Sequence, residues 1–313
     1  MRIVLLCATD RGYRVLEKLA ALANSAQPKI EFVVFSFREE AHEPPFLDRI
    51  KGLSESIGAV FHEAKQIGSE KWRDYWEQTP FDLMLAVSWR YMVPRTVYEK
   101  ARSGAYVFHD SLLPTYRGFS PTVWAMINGE NSTGVTLFQM ADEVDNGDII
   151  AQTRVPIGET DTIADVMEAV TEAYLTVLEA NFTALIEKTA VGVPQNHVRA
   201  TYTCRRLPED NAIQWDSSTR SIYNLIRAVT APYNGAWTTL NGERLVIWSA
   251  KRMLGFPSYI GRMPGRIVEV RRGVGAVVLT GDGALLITEV GRPGEARQPA
   301  DQVLTNLSMT LGR

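Results

Sequence analysis

Cysteine is nearly absent. Two residues, Cys7 and Cys204, are too few and too far apart for a disulfide framework or a zinc cluster, so no metal site and a reducing, cytoplasmic setting are expected. Long apolar runs are missing too: none approaches the roughly 20 residues that cross a bilayer, so no membrane partner is expected. The apolar start at residues 3–7 is cut short by Asp10-Arg11 and reads as a buried first strand, not a signal peptide. Basic excess is also lacking. A formal net charge of −3 and a pI near 5.9 argue against a phosphate-backbone partner, which needs a concentrated basic surface. There is no internal repeat and no low-complexity tract. What is present is an ordinary globular composition, 45% hydrophobic and 22% charged over 313 residues, enough chain for two domains.

The first half alternates apolar, β-branched strands (residues 3–6, 30–36, 81–87, 105–108) with helical patterns (11–23, 45–57, 94–100). Continuous apolar strands in such a rhythm imply an α/β fold: a Rossmann-like, mostly parallel sheet with helices on both faces and functional groups in loops beyond the strand ends. A helix at 121–128, a strand at 134–140 and a long helix whose apolar stripe runs from Ile163 to Ile186 complete a domain over 1–190, with the long helix capped by Asp161 or Thr160. Residues 191–206 read as a connector over the surface. Over 207–313, a helix at 217–228 precedes short strands separated by Asn241-Gly242 and Gly281-Asp282-Gly283 turns, which predicts a smaller β-barrel-like (OB-like) domain.

Chemistry concentrates between residues 106 and 150. His109 follows one strand and Asp145 lies beyond the end of another, and an imidazole with a carboxylate can shuttle a proton near neutral pH. The alternative is a satisfied core histidine with Asp145 as a turn former before Asn146-Gly147. After His109, Ser111-Leu112-Leu113-Pro114 makes a stiff, apolar wall suited to a flat ligand, with Leu113-Pro114 the candidate for a cis bond. Arg117-Gly118 is a candidate anchor for an anionic substrate or for the Asp145 loop.

The set His109-Asp110-Ser111-Leu112-Leu113-Pro114, Arg117-Gly118, Pro121, Trp124-Ala125, Gly129-Glu130, Thr133-Gly134-Val135-Thr136, Met140 and Asp145-Asn146-Gly147-Asp148 closely resembles the 10-formyltetrahydrofolate-dependent formyltransferases. Residues 222–228 and 232–236 are similar to the carboxyl-terminal domain of methionyl-tRNA and amino-sugar formyltransferases. The resemblance implies transfer of a formyl group from 10-formyltetrahydrofolate to an acceptor amine through a tetrahedral intermediate. His109 would stabilise its oxyanion and relay protons, and Asp145 would orient His109 and assist deprotonation. The family's asparagine position is Val107. Valine donates nothing, and one lost oxyanion donor costs about 10²- to 10³-fold in turnover. Three readings follow: another donor such as Ser111 or a water fills the space, the acceptor is a stronger nucleophile, or the chain has left formyl transfer for other one-carbon chemistry, formyl-folate hydrolysis or ligand binding alone.

By the same resemblance the folate pocket involves Ser88, Arg90 and Met92 in the segment 88–94, the Leu112 and Leu113 wall, and the loop Ala141, Asp142, Glu143 and Val144. Ser111, Arg117 and Gly118 would meet the acceptor. The 37–49 loop is short and balanced toward acid, which disfavours tRNA and favours a small acceptor: a nucleotide-linked amino sugar, or an amino-acid-derived amine or hydroxylamine. A homodimer is left open.

Overall fold

The computed structural model describes residues 1–24, 28–40, 43–253 and 255–313; Ala41 and His42 of the 37–49 loop lie outside the described residues. The first half runs β1 (Arg2–Cys7), α1 (Thr9–Ala23), β2 (Glu31–Ser36), α2 (Leu47–Ser56), β3 (Val60–Glu63), α3 (Glu70–Gln78), β4 (Leu83–Val87), α4 (Arg95–Tyr98) and β5 (Gly104–His109). Then come β6 (Arg117–Gly118), α5 (Pro121–Ile127), β7 (Ser132–Gln139), β8 (Ile149–Pro156), α6 (Ile163–Ile186) and β9 (Tyr202–Thr203). A seven-stranded sheet has the order β3-β2-β1-β4-β5-β7-β8. Its first five strands pair in parallel, and every side chain from Ile3 to Cys7 is fully buried, as a strand covered on both faces must be. The strand order reverses between β1 and β4, which leaves a crevice at their carboxyl ends.

Strand β8 was not expected, and neither were two elements nearer the start. β3 is a short, half-exposed edge strand with little apolar signal, and α3 is polar apart from Trp72 and Trp76, which bury against Phe35 in edge-on and tilted ring contacts. The cap of α6 also shifts by a residue. Thr162, directly before the helix, donates from both its backbone N–H (2.8 Å) and its hydroxyl (2.6 Å) to Asp165, while Asp161 turns back to accept from the Gly158 N–H.

Contacts divide the chain differently from the expected boundaries at 190 and 207. One compact unit holds Met1–Gly118, Thr133–Val155 and Glu168–Thr203; the other holds Phe119–Ser132, Pro156–Met167 and Cys204–Arg313. The cause lies in the second unit's own packing around α7 (Thr219–Val229). Buried Arg227 donates to the carbonyls of Gly158 (2.9 Å) and Asp161 (3.0 Å), and Arg220 to that of Gly129 (3.2 Å). A side chain at Gly129 would meet the Asn224 amide at 2.8 Å. Beyond α7, strands β10 (Ala236–Leu240), β11 (Glu243–Arg252), β12 (Ile267–Arg271), β13 (Gly275–Leu279), β14 (Ala284–Gly291) and β15 (Gln298–Pro299) form one antiparallel sheet, in the order β10-β11-β14-β13-β12 with β15 on β14. Asn241 and Gly242 both take positive φ, as a two-residue hairpin of this hand requires. The two edges of the sheet are joined by residues 309–313: on the β12 side Ile267 N–H donates to the Met309 carbonyl (3.2 Å) and Leu311 N–H to the Gly265 carbonyl (2.8 Å), and on the β10 side Gly312 N–H donates to the Thr239 carbonyl (2.8 Å), which curls the sheet toward a barrel.

Candidate active site

β5 delivers His109 at its last residue, 8% exposed. Asp145 reaches it by a less direct route than the sequence suggests. β7 pairs antiparallel to β5, with His109 opposite Thr136 and Tyr106 opposite Gln139, so β7 runs away from the histidine. Asp145 lies six residues past the end of β7, on a loop that folds back until Asp145 Oδ2 is 3.6 Å from His109 Nδ1. The return depends on tight backbone. Asp145 is left-handed at φ 49°, and a Cβ on Gly147 would fall 1.8 Å from the Gln139 carbonyl oxygen.

The ring is held by its other nitrogen. His109 Nε2 donates to the carbonyl of Tyr116 at 2.8 Å, and a carbonyl can only accept. Nε2 therefore keeps its proton in both charge states, and Nδ1, beside the carboxylate, is the atom that gains or loses one. Asp145 Oδ2 accepts in turn from the Gly118 N–H at 2.7 Å. Gly118 has φ +100°, and a Cβ there would meet the Thr203 carbonyl at 2.7 Å, so glycine is required.

Three expected contributors do different work. Arg117 is 1% exposed and cannot meet an acceptor: its Nε (3.2 Å) and Nη2 (2.6 Å) donate to Gln195 Oε1, Nη2 also donates to His197 Nδ1 (3.1 Å), and Nη1 donates to the Tyr202 hydroxyl (3.1 Å). It anchors the Asp145 loop at one remove. Gln195 Nε2 donates to the carbonyls of Asp145 (2.9 Å) and Gly147 (2.7 Å). Ser111, 2% exposed, donates to the Thr115 carbonyl at 2.7 Å, so it does not fill the gap left at Val107. Val107 is half-buried against the core cluster containing Met84 and Ala86 and offers no donor.

Of the two residues expected in the pocket wall, Leu112 is half-buried and Leu113 is buried, its N–H donating to Thr136 Oγ1 at 3.1 Å; the Leu113-Pro114 bond is cis. On the proposed donor side, Ser88 follows β4 at φ 53° and accepts from the Thr9 hydroxyl at 3.3 Å. Arg90 is paired with Glu43 and lies over Phe37, Trp89 packs edge-on to Phe37 and Tyr91, and Met92 is exposed. Asp142 is held by α4. The Tyr98 hydroxyl donates to it at 2.6 Å and is pushed up to about 12 by burial and by that carboxylate. Ala141, Asp142, Glu143 and Val144 lie outside the sheet ladders, in bends and a turn that lead into Asp145.

One cluster behind His109 escaped the sequence reading. Arg11, on the first turn of α1, bridges both oxygens of Asp110 at 2.8 and 2.7 Å. The Tyr174 hydroxyl of α6 also donates to Asp110, and the Tyr174 ring stacks on Phe108 at 5.0 Å. Burial alone would raise the Asp110 carboxyl, but Arg11 and the Tyr174 hydroxyl outweigh it and hold it below the usual carboxylate range.

A mixed α/β sheet that brings a buried histidine near a half-buried aspartate, followed by an antiparallel domain, defines an α/β protein with an appended module. The chain belongs to the formyl transferase family: the family's formyl transferase model matches residues 16–180 and its carboxyl-terminal domain model matches 207–308. Among curated relatives, the bifunctional polymyxin resistance protein ArnA of Wigglesworthia glossinidia brevipalpis is 31% identical over 266 residues, covering 85% of this chain and 38% of that protein. The chain therefore spans little more than a third of that relative. Solved structures share the fold. The N-formyltransferase from Helicobacter canadensis, in complex with folinic acid and dTDP-3-aminofucose, has a TM-score of 0.69 at 18% identity, covering 91% of this chain and 97% of that one. HypX from Aquifex aeolicus in complex with tetrahydrofolic acid gives 0.62 at 19% identity, covering 97% of this chain and 47% of that one.

Proposed function

We propose that this chain transfers a formyl group from 10-formyltetrahydrofolate to an amine of a small-molecule acceptor, with His109 and Asp145 as the working pair. The observation that carries this reading is the approach of Asp145 Oδ2 to His109 Nδ1, 3.6 Å apart, while Nε2 is fixed on Tyr116. Family membership supports the reaction class, and the folate and amino-sugar ligands named for the Helicobacter canadensis structure support a folate donor and a small acceptor. The backbone of the Ala141 to Val144 loop, outside the sheet ladders, suits the hydrogen-bonding edge of a pterin, and Leu112 suits its flat face. The folate would supply the formyl carbon. His109 Nδ1 takes the proton that the acceptor nitrogen sheds as it bonds to the formyl carbon, Asp145 stabilises the resulting imidazolium, and the proton passes to the folate nitrogen as its bond to that carbon breaks and tetrahydrofolate leaves.

Val107 favours a second reading, in which the chain hydrolyses formyl-folate or only binds it. A hydroxylamine acceptor would ease the first reading, because a stronger nucleophile needs less help at the carbonyl oxygen. Incubation of the protein with 10-formyltetrahydrofolate and a panel of amines, amino-sugar nucleotides and hydroxylamines separates them. Folate release that requires an acceptor supports transfer; release without one means hydrolysis; binding with no release removes the enzymatic reading.

A further inference from the structure

Two residues that hold the His109–Asp145 pair stand in left-handed backbone without being glycine: Tyr116 at φ 58° and Asp145 at φ 49°. Tyr116 carries the carbonyl that fixes His109, and Asp145 carries the carboxylate. Such conformations persist where the surroundings over-determine them. Both receive their support from one stretch of chain, residues 193–203, that sequence patterning reads as a linker.

The stretch is fastened at each end. Val193 exchanges two backbone hydrogen bonds with Ile149, at 2.8 and 2.9 Å, just past the Asp145 loop, and Gln195 donates to the carbonyls of Asp145 and Gly147. At the far end, Thr201 Oγ1 accepts from the Tyr116 N–H at 2.9 Å, and its carbonyl accepts from the Arg117 N–H at 2.9 Å. Tyr202 and Thr203 then pair with Arg117 and Gly118. Arg117 links the two ends. Its guanidinium donates to Gln195, His197 and the Tyr202 hydroxyl, all from this stretch.

We infer that residues 193–203 form a strap that sets the position of His109 relative to Asp145, with Thr201 and Gln195 as positioning residues for the pair. Thr201 orients the Tyr116 peptide and so the imidazole; Gln195 orients the Asp145 turn. At 3.6 Å the two groups are not hydrogen-bonded to each other, so their separation rests on what holds each one. The catalytic consequence depends on the proposed formyl transfer; the geometric claim does not.

Thr201→Val removes the acceptor for the Tyr116 N–H at nearly constant shape. Gln195→Glu keeps an acceptor for Arg117 and removes both donors to the Asp145 turn. Val198→Ala, in the same stretch and 96% exposed, is the control. In ring-nitrogen NMR the wild-type His109 signal should report a protonated Nε2, and Thr201→Val should shift it toward mixed tautomers with Thr201→Ser restoring it. With the best acceptor, kcat should fall on the order of 10²-fold in Thr201→Val and Gln195→Glu, the scale of an ångström-sized misplacement, while donor KM stays unchanged. An unaltered His109 signal in folded Thr201→Val, or an equal change in Val198→Ala, overturns the strap. Should Thr201→Val not fold, Gln195→Glu decides by kcat and by its pH profile, and an unchanged profile counts against the inference. If wild-type protein shows no acceptor-dependent transfer, the functional reading fails while the ring spectra still judge the strap.

Discussion

His109 is one of four histidines in the chain, and its neighbours set its chemistry. With Nε2 bound to a carbonyl, replacement by glutamine, whose amide nitrogen reaches as far as the ring Nε2, keeps a donor to Tyr116 and removes the base at Nδ1. His109→Gln should therefore abolish acceptor-dependent folate release while folate binding, followed by fluorescence titration, is retained. Val107→Asn tests the opposite gain. A donor restored beside the formyl oxygen should raise kcat by up to about 10²-fold, and no change in any acceptor assay would show that the oxygen does not lie near Val107. The pair was legible in sequence because His109 sits in a dense motif and Asp145 in an Asp-Asn-Gly turn. Arg117 and Ser111 stand in the same motif, yet they serve the scaffold, since residue type reveals a polar group but not which way burial turns it.

At the level of elements, Asp110 ties the end of β5 to the first turn of α1 and to the middle of α6. Its partners lie 99 and 64 residues away, so no local period could announce them. Asp110→Asn leaves Arg11 buried without its countercharge and should cost about 3–5 kcal/mol in urea unfolding. Tyr174→Phe removes one hydrogen bond to a charged group and should cost about 1–3 kcal/mol. The pH dependence has a definite sign. Because the folded carboxyl lies below its ordinary value near 3.9, its stabilisation is complete above that value and is lost as pH falls through the folded one. Stability followed between about pH 5 and pH 2 should decline less steeply in Asp110→Asn than in the wild type. The strands that read clearly were β1, β2 and β4, whose apolar runs are continuous. β3 and β8 did not, because half-exposed strands carry mixed side chains that resemble loop.

For the chain as a whole, the two compact units are not contiguous in sequence. Phe119–Ser132 and Pro156–Met167 pack with the carboxyl-terminal part, through backbone carbonyls and Gly129, which carry no hydrophobic periodicity. A chain ending at Arg206 would lose α7 and leave those stretches without the side chains that satisfy them. It should melt at lower temperature and expose apolar surface, seen as dye binding and a broadened thermal transition; a sharp transition at the full-length temperature would contradict the assignment.

The interleaving has an evolutionary side. A recombination that exchanged everything downstream of position 206 for the tail of a relative would also have to match two upstream segments that the exchange leaves behind. Diversification of acceptor choice in this lineage should therefore proceed by point changes in loops more readily than by wholesale module shuffling.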